Sequence, residues 1–317
     1  MKRILTLFPL PMALVACSPS PNDSGNTDVA CRPLVSSTAM RPAAWQGTVF
    51  TIVMENKSLS DVVDNPAAPY ITALAHENAI AAGYHDSFVH PSEPNYIWMT
   101  SGENFGILND SDPGLANTLS TESHIADQIE SAGLTWRTYL ESMGAACDLT
   151  SHGTYAVKHN PFAYYRDING WNGSGFSPSA RCAEHVVDYS QLDADLASGK
   201  LPDYVFITPN LNDDMHDGSV ADGDTWLSHE VPKLLASSAY QNGGVVFLLW
   251  DEGSDSEDDP PFIVVSPNVK RGFVSLEPYD TSSYLKTVET LLGVEPLPCL
   301  ADASSVKVMS DLFATDL

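Results

Sequence analysis

TVFTIVM (residues 48–54) runs without a break into Glu55-Asn56, and GVVFLLW (residues 244–250) runs without a break into Asp251-Glu252-Gly253. Neither run alternates apolar with polar residues, and both are too short for a buried helix. Each therefore reads as a strand covered on both faces, the signature of a parallel sheet. The flanking segments alternate in kind. Helices are expected at 67–82, 123–132, 191–198, 225–237 and 282–292, and further strands at 84–89, 135–140, 203–208 and 262–266. The fold class that follows is α/β: a mostly parallel central sheet sandwiched by helices.

The two opening strands end alike. In a parallel sheet both ends lie on the carboxyl edge, where open α/β folds bind ligands. Strands about 4.8 Å apart bring Glu55, Asn56, Asp251 and Glu252 toward one point. Three carboxylates crowded together repel one another unless a cation lies between them. An all-oxygen donor set suits one hard divalent ion such as Mg, Ca, Mn or Zn. A third segment, HPSEPNYIWMTSG (residues 90–102), puts the hydroxyl of Ser92 just past a strand, with Asn95 opening a helix at 95–100. Helix-start amides and a carboxamide suit a phosphate oxygen. A serine whose oxygen ligates a cation becomes a nucleophile without a histidine partner. His216 sits in DDMHDG, where Asp213, Asp214 and Asp217 favour the protonated ring that a leaving alkoxide needs.

Composition sets the surroundings. Fifteen basic against forty-one acidic residues give a formal charge of −26, which repels nucleic acid. Lys2 and Arg3 precede an apolar stretch, residues 4–16, too short to span a bilayer. It ends in Leu14-Val15-Ala16-Cys17, which resembles the lipobox of bacterial lipoproteins. The expected organisation is a signal peptide at 1–16, a tether at 17–44 beginning at a lipidated Cys17, and one domain at 45–317. That domain carries a loop-rich insertion at about 142–190. Export and a membrane lipid anchor make an oxidising compartment the expectation, and the remaining cysteines allow three pairings. The favoured one joins Cys147 to Cys182 and Cys31 to Cys299.

Taken together, VMENKSL (53–59), HPSEPNYIWMTSG (90–102), HNPFAYY (159–165), ITPNLNDDMHDGSVADGDTWL (207–227), WDEG (250–253) and VVSPNVKRG (264–272) resemble the bacterial phosphoesterase family. That family holds phospholipases C and acid phosphatases and belongs to the alkaline-phosphatase-like superfamily. The resemblance implies an alkaline-phosphatase-like core. It implies Glu55, Asn56, Asp251 and Glu252 as metal ligands, with Ser92 the nucleophile that also touches the metal. It makes Asn95 a phosphate holder, His216 a contact to phosphate or leaving group, and His159 with Asn160 a second polar lining. The chain departs from the family pattern at Lys57-Ser58-Leu59 and in the acidic run 255–259. The implied activity is a metal-dependent phosphoric ester hydrolase of acid-phosphatase type working through a phosphoserine. A phospholipase C or other phosphodiesterase is the alternative. A non-catalytic, anion-binding surface lipoprotein is the second. The implied substrate is a phosphoester, and the oligomeric state is left open. Trp171, in a glycine-rich loop, is the aromatic expected to face substrate.

Overall fold

The computed structural model describes residues 39–87, 89–120, 123–255, 259–297 and 303–317. Cys17, Cys31 and Cys299, and with them the leader and one expected disulfide, lie outside the described residues. Eight strands form one sheet: β1 (Val49–Met54), β2 (Ala79–Ala81), β3 (Trp136–Leu140), β4 (Val186–Asp188), β5 (Tyr204–Thr208), β6 (Val245–Trp250), β7 (Phe262–Val265) and β8 (Phe273–Ser275). Their order is β4-β3-β5-β1-β6-β7-β2-β8. The five from β4 to β6 are mutually parallel, β7 runs antiparallel to β6 and β2, and β8 is parallel to β2.

The apolar runs behave as an uninterrupted hydrophobic strand should. Val49 and Val53 of β1, with Val245, Phe247 and Leu249 of β6, enter one core cluster. Phe50, Ile52 and Met54, with Val246, Leu248 and Trp250, enter the other on the opposite face. Burial of both faces of β1 and β6 is complete. Helices Ser92–Ser101, Ile125–Ser131 and Thr281–Leu292 supply residues to the first cluster, and Pro69–Glu77 and Val220–Ala236 to the second.

Three expectations change. The helix expected at 67–82 stops at Glu77, and Ala79–Ala81 becomes a strand between β7 and β8. Alanine is a weak strand former, so pairing on both sides overrides local preference. The strand expected at 84–89 is absent among the described residues: Tyr84 makes an isolated bridge to Tyr279, and the chain then loops to a cis His90–Pro91 bond. The helix expected from 225 begins at Val220, because Ser219 and Asp222 form a capping box. That signal was present in the sequence. No helix among the described residues is long and apolar enough to cross a membrane.

In the insertion, Cys147 and Cys182 form a disulfide. Arg181 beside it pairs with Asp127, Glu130 and Asp167, fastening the insertion to the Ile125–Ser131 helix.

Candidate active site

Register builds the centre. Met54 of β1 is paired with Trp250 of β6, so the next residues, Glu55 and Asp251, emerge side by side. Asn56 adopts a left-handed φ of 50°, a region asparagine tolerates better than most residues. Its N–H donates to Asp251 Oδ1 at 3.1 Å, locking the two strand ends together. The Ser92–Ser101 helix starts at Ser92 itself rather than at Asn95, and ends on Gly102 at φ 84°. Ser92 is buried, and its Oγ donates to Glu55 Oε2 at 3.0 Å. The nucleophile candidate, 37 positions from Glu55 in sequence, is thus within one hydrogen bond of it.

The insertion and the loop after β5 close the other side. His159, 2% exposed, stacks on Tyr96 with ring centroids 5.1 Å apart. Its Nε2 lies 3.2 Å from Glu55 Oε1 and its Nδ1 3.3 Å from Asp214 Oδ2. Burial, then the nearby charge of Lys158, pushes His159 well below the ordinary histidine range, so it stays neutral. His216 lies against His159 at 5.6 Å between ring centroids. Its Nδ1 is 2.7 Å from Asp217 Oδ1, and its Nε2 is 3.2 Å from Lys158 Nζ. A lysine ammonium only donates, so Nε2 accepts and the ring proton sits on Nδ1. Lys158, which sequence reasoning missed, faces the other ring nitrogen.

The donor atoms fit a cation. Glu55 Oε1, Asn56 Oδ1, Asp251 Oδ2, Asp214 Oδ2 and His159 Nε2 are all buried, and none makes a hydrogen bond within the protein. Leaving such atoms unpaired costs about 1–3 kcal/mol each, so they call for a common positive partner. Ligand atoms of Glu55, His159 and His216 lie within 4.8 Å of one another. The carboxylates show the same strain. Burial, then repulsion from Asp251 and Asp214, drives Glu55 well above the carboxylate range. Burial raises Asp251 and Asp214 to about 7 each.

Glu252 is directed elsewhere. Its Oε2 accepts from Asn95 Nδ2 at 3.1 Å and lies 3.1 Å from His90 Nδ1. Burial, then Asp251, raises it to about 9. Asn95 is engaged throughout: Nδ2 also donates to Val89 O at 2.7 Å, and Oδ1 accepts from the Ser87 hydroxyl. Asn160 is fully buried and donates to Tyr155 Oη. Trp171 packs on Phe176 within the insertion.

Lys57, the family-pattern departure, donates to Asn56 O at 3.1 Å and Met215 O at 2.9 Å, tying the end of β1 to the His216 loop. Met215 itself has φ 81°, a strained value for a side chain of its size. Its side chain is fully buried against Gly223. A Cβ on Gly223 would lie 2.6 Å from Met215 Cγ and 3.0 Å from Asp213 O. Gly223→Val is therefore expected to dislodge the loop carrying Asp214 and His216. It should lower stability by about 1–3 kcal/mol and raise KM about tenfold or more. Thermal melts and steady-state kinetics check both, and unchanged values refute this role for Gly223.

Comparison with known proteins identifies the family. A model of the phosphoesterase family matches residues 40–256. A phosphatidylinositol-3-phosphatase of Mycobacterium tuberculosis is 28% identical over 84% of this chain and 82% of its own. An acid phosphatase of Aspergillus fumigatus is 27% identical over 68% of this chain, which spans only 47% of that protein's length. Among solved structures, a protein of the alkaline phosphatase superfamily from Vibrio parahaemolyticus superposes with a TM-score of 0.53 at 14% identity, covering 82% of this chain and 69% of that one. Murine ectonucleotide pyrophosphatase/phosphodiesterase 5 superposes with a TM-score of 0.54 at 12% identity, covering 80% and 96%. The structural likenesses establish the alkaline-phosphatase-like fold, and the family match with its phosphatase relatives establishes the chemistry: the chain belongs to the phosphoesterase family and is a phosphoric ester hydrolase.

Proposed function

We propose that the protein is a metal-dependent phosphomonoesterase in which Ser92 is the nucleophile. One observation carries this reading. The Ser92 hydroxyl lies 3.0 Å from Glu55, beside buried oxygens of Glu55, Asn56 and Asp251 that no protein group satisfies. Glu55, Asn56, Asp251 and the Ser92 oxygen would hold one divalent cation, which when bound would lower the pKa of the hydroxyl and offset charge on the phosphoryl oxygens. Ser92 Oγ attacks phosphorus as its proton passes to Glu55 Oε2. The ester P–O bond breaks, and the leaving oxygen takes its proton from the hydrogen-bonded Lys158–His216 pair. Water then cleaves the phosphoserine, returning free Ser92 and inorganic phosphate.

The lipobox-like Leu14–Cys17 sequence supports an exported protein held to a membrane by acylated Cys17. That placement, with the phosphatidylinositol-3-phosphatase named among its relatives, favours phosphomonoesters carried on lipid head groups. The test is a phosphoester panel on purified, cation-supplemented protein. Phosphate release from p-nitrophenyl phosphate and from micellar phosphatidylinositol phosphate is expected. Tight phosphate binding with no turnover of any ester would instead mark a non-catalytic anion binder.

A further inference from the structure

We propose that Lys158 reads the charge of the phosphoryl group and gives the site its preference for dianionic monoesters over monoanionic diesters. The proposal rests on the reading of Ser92 as nucleophile and goes beyond it to substrate class. The chain holds 15 basic residues against 41 acidic ones, so a cation at the centre of an acidic cluster is unusual. Lys57, the other lysine at the site, is occupied with two backbone carbonyls. Lys158 is held differently. Its Nζ donates to Asp110 Oδ2 at 2.7 Å and faces His216 Nε2 at 3.2 Å. Those two partners take two of its three protons. Its side chain keeps 20% exposure and borders a cavity of about 260 Å³ shared with Asp110, Ser111, Asp112, Ser151 and Ala156.

The same carboxylate that fixes Lys158 also fixes the nucleophile. Asp110 Oδ1 accepts from the Glu93 N–H at 3.0 Å, in the first turn of the Ser92–Ser101 helix. Glu93 returns the contact, accepting from Ser111 N at 2.8 Å and Asn117 Nδ2 at 2.9 Å. Ser92 and Lys158 are therefore set by one buttress, Ser92 in contact with Glu55 and Lys158 with His216 of the Glu55–His159–His216 cluster. A phosphorus attacked from about 3 Å by Ser92 turns its outer oxygens toward the His216 side. There a charge-assisted contact of about 2.8 Å to Lys158 is formed. A monoester brings a charged oxygen to that place. A diester puts an uncharged ester oxygen there and gains far less.

The test compares p-nitrophenyl phosphate with bis(p-nitrophenyl) phosphate. Their leaving group departs as a stable anion, so loss of a proton donor does not obscure the reading. In Lys158→Gln the monoester-to-diester ratio of kcat/KM should fall about 30- to 100-fold, the worth of one charged hydrogen bond. Lys158→Arg should restore most of it. Inorganic phosphate, as a competitive inhibitor of monoester turnover, gives a second reading. Its Ki should rise by about tenfold or more in Lys158→Gln and recover in Lys158→Arg. Asp110→Asn should lower the ratio by a smaller factor, because Lys158 then loses its holder. An unchanged ratio and Ki, or equal losses on both esters without rescue by arginine, overturns the proposal. Turnover of both esters surviving Ser92→Ala overturns the nucleophile reading as well. A silent Ser92→Ala with an unchanged ratio in Lys158→Gln overturns the Lys158 proposal alone.

Discussion

Ser92→Ala should reduce turnover of p-nitrophenyl phosphate by about 10⁴-fold or more, while the protein still folds, with a melting temperature lowered by no more than about 10 °C. The expectation follows from how the residue is held. Ser92 is buried at the start of its helix, and its hydroxyl points at Glu55 rather than capping the helix. The oxygen thus does little for the helix, and its loss leaves the Ala-compatible backbone in place. Removing it leaves the buried Glu55 Oε2 without its hydroxyl donor, which costs about 1–3 kcal/mol of stability in the metal-free protein. Catalytically the loss is total, because the phosphoserine has nowhere to form. The check is kcat on a sample freed of contaminating phosphatase, with acid quench to trap phosphoprotein in the wild type. Residual activity above about one part in a hundred would refute the assignment.

The sequence made the centre legible for a specific reason. Glu55 and Asp251 follow two continuous apolar runs, and parallel pairing of Met54 with Trp250 makes adjacency automatic. Ser92 was visible through the Ser-x-Pro-Asn string that opens a helix, although the strand expected before it is a loop. The rest of the site comes from loops whose paths depend on tertiary contacts. Asp214 reaches His159 from a loop whose Met215 packs over Gly223. Lys158 is placed by Asp110, 48 positions away, which is in turn held by the backbone of Glu93. No local pattern encodes such contacts. Glu252 shows the same limit from the other side: it directly follows Asp251, yet a tight turn sends it to Asn95 and His90. The misread segment 67–89 follows the same rule, since the helix ends where Ala79–Ala81 finds two strand partners.

Removing divalent cations should abolish activity, by about 10³-fold or more, and should also change how stability depends on pH. Asp251 and Asp214 titrate near 7 in the folded protein and Glu252 near 9, all raised chiefly by burial. In an unfolded chain the same groups titrate at about 4. Between those values the folded state holds more protons than the unfolded one. The slope of unfolding free energy with pH is then negative. The metal-free protein should therefore be most stable below about pH 4 as far as these groups are concerned. It should lose stability progressively as pH rises through about 7 and on toward 9. A bound cation would supply the charge that burial withholds, so the ligand carboxylates Glu55 and Asp251 ionise without penalty and the negative slope becomes shallower. Melting temperatures at pH 5, 6, 7 and 8, with chelator and with added divalent ion, measure this. The gap between the two curves should widen with pH, and cation binding near pH 6 should release protons into weakly buffered solution. Identical curves with no proton release would mean that the unpaired oxygens of Glu55, Asn56 and Asp251 hold no cation. The Ser92 hydroxyl would then have to be activated by Glu55 alone, whose raised pKa leaves it protonated and unable to accept.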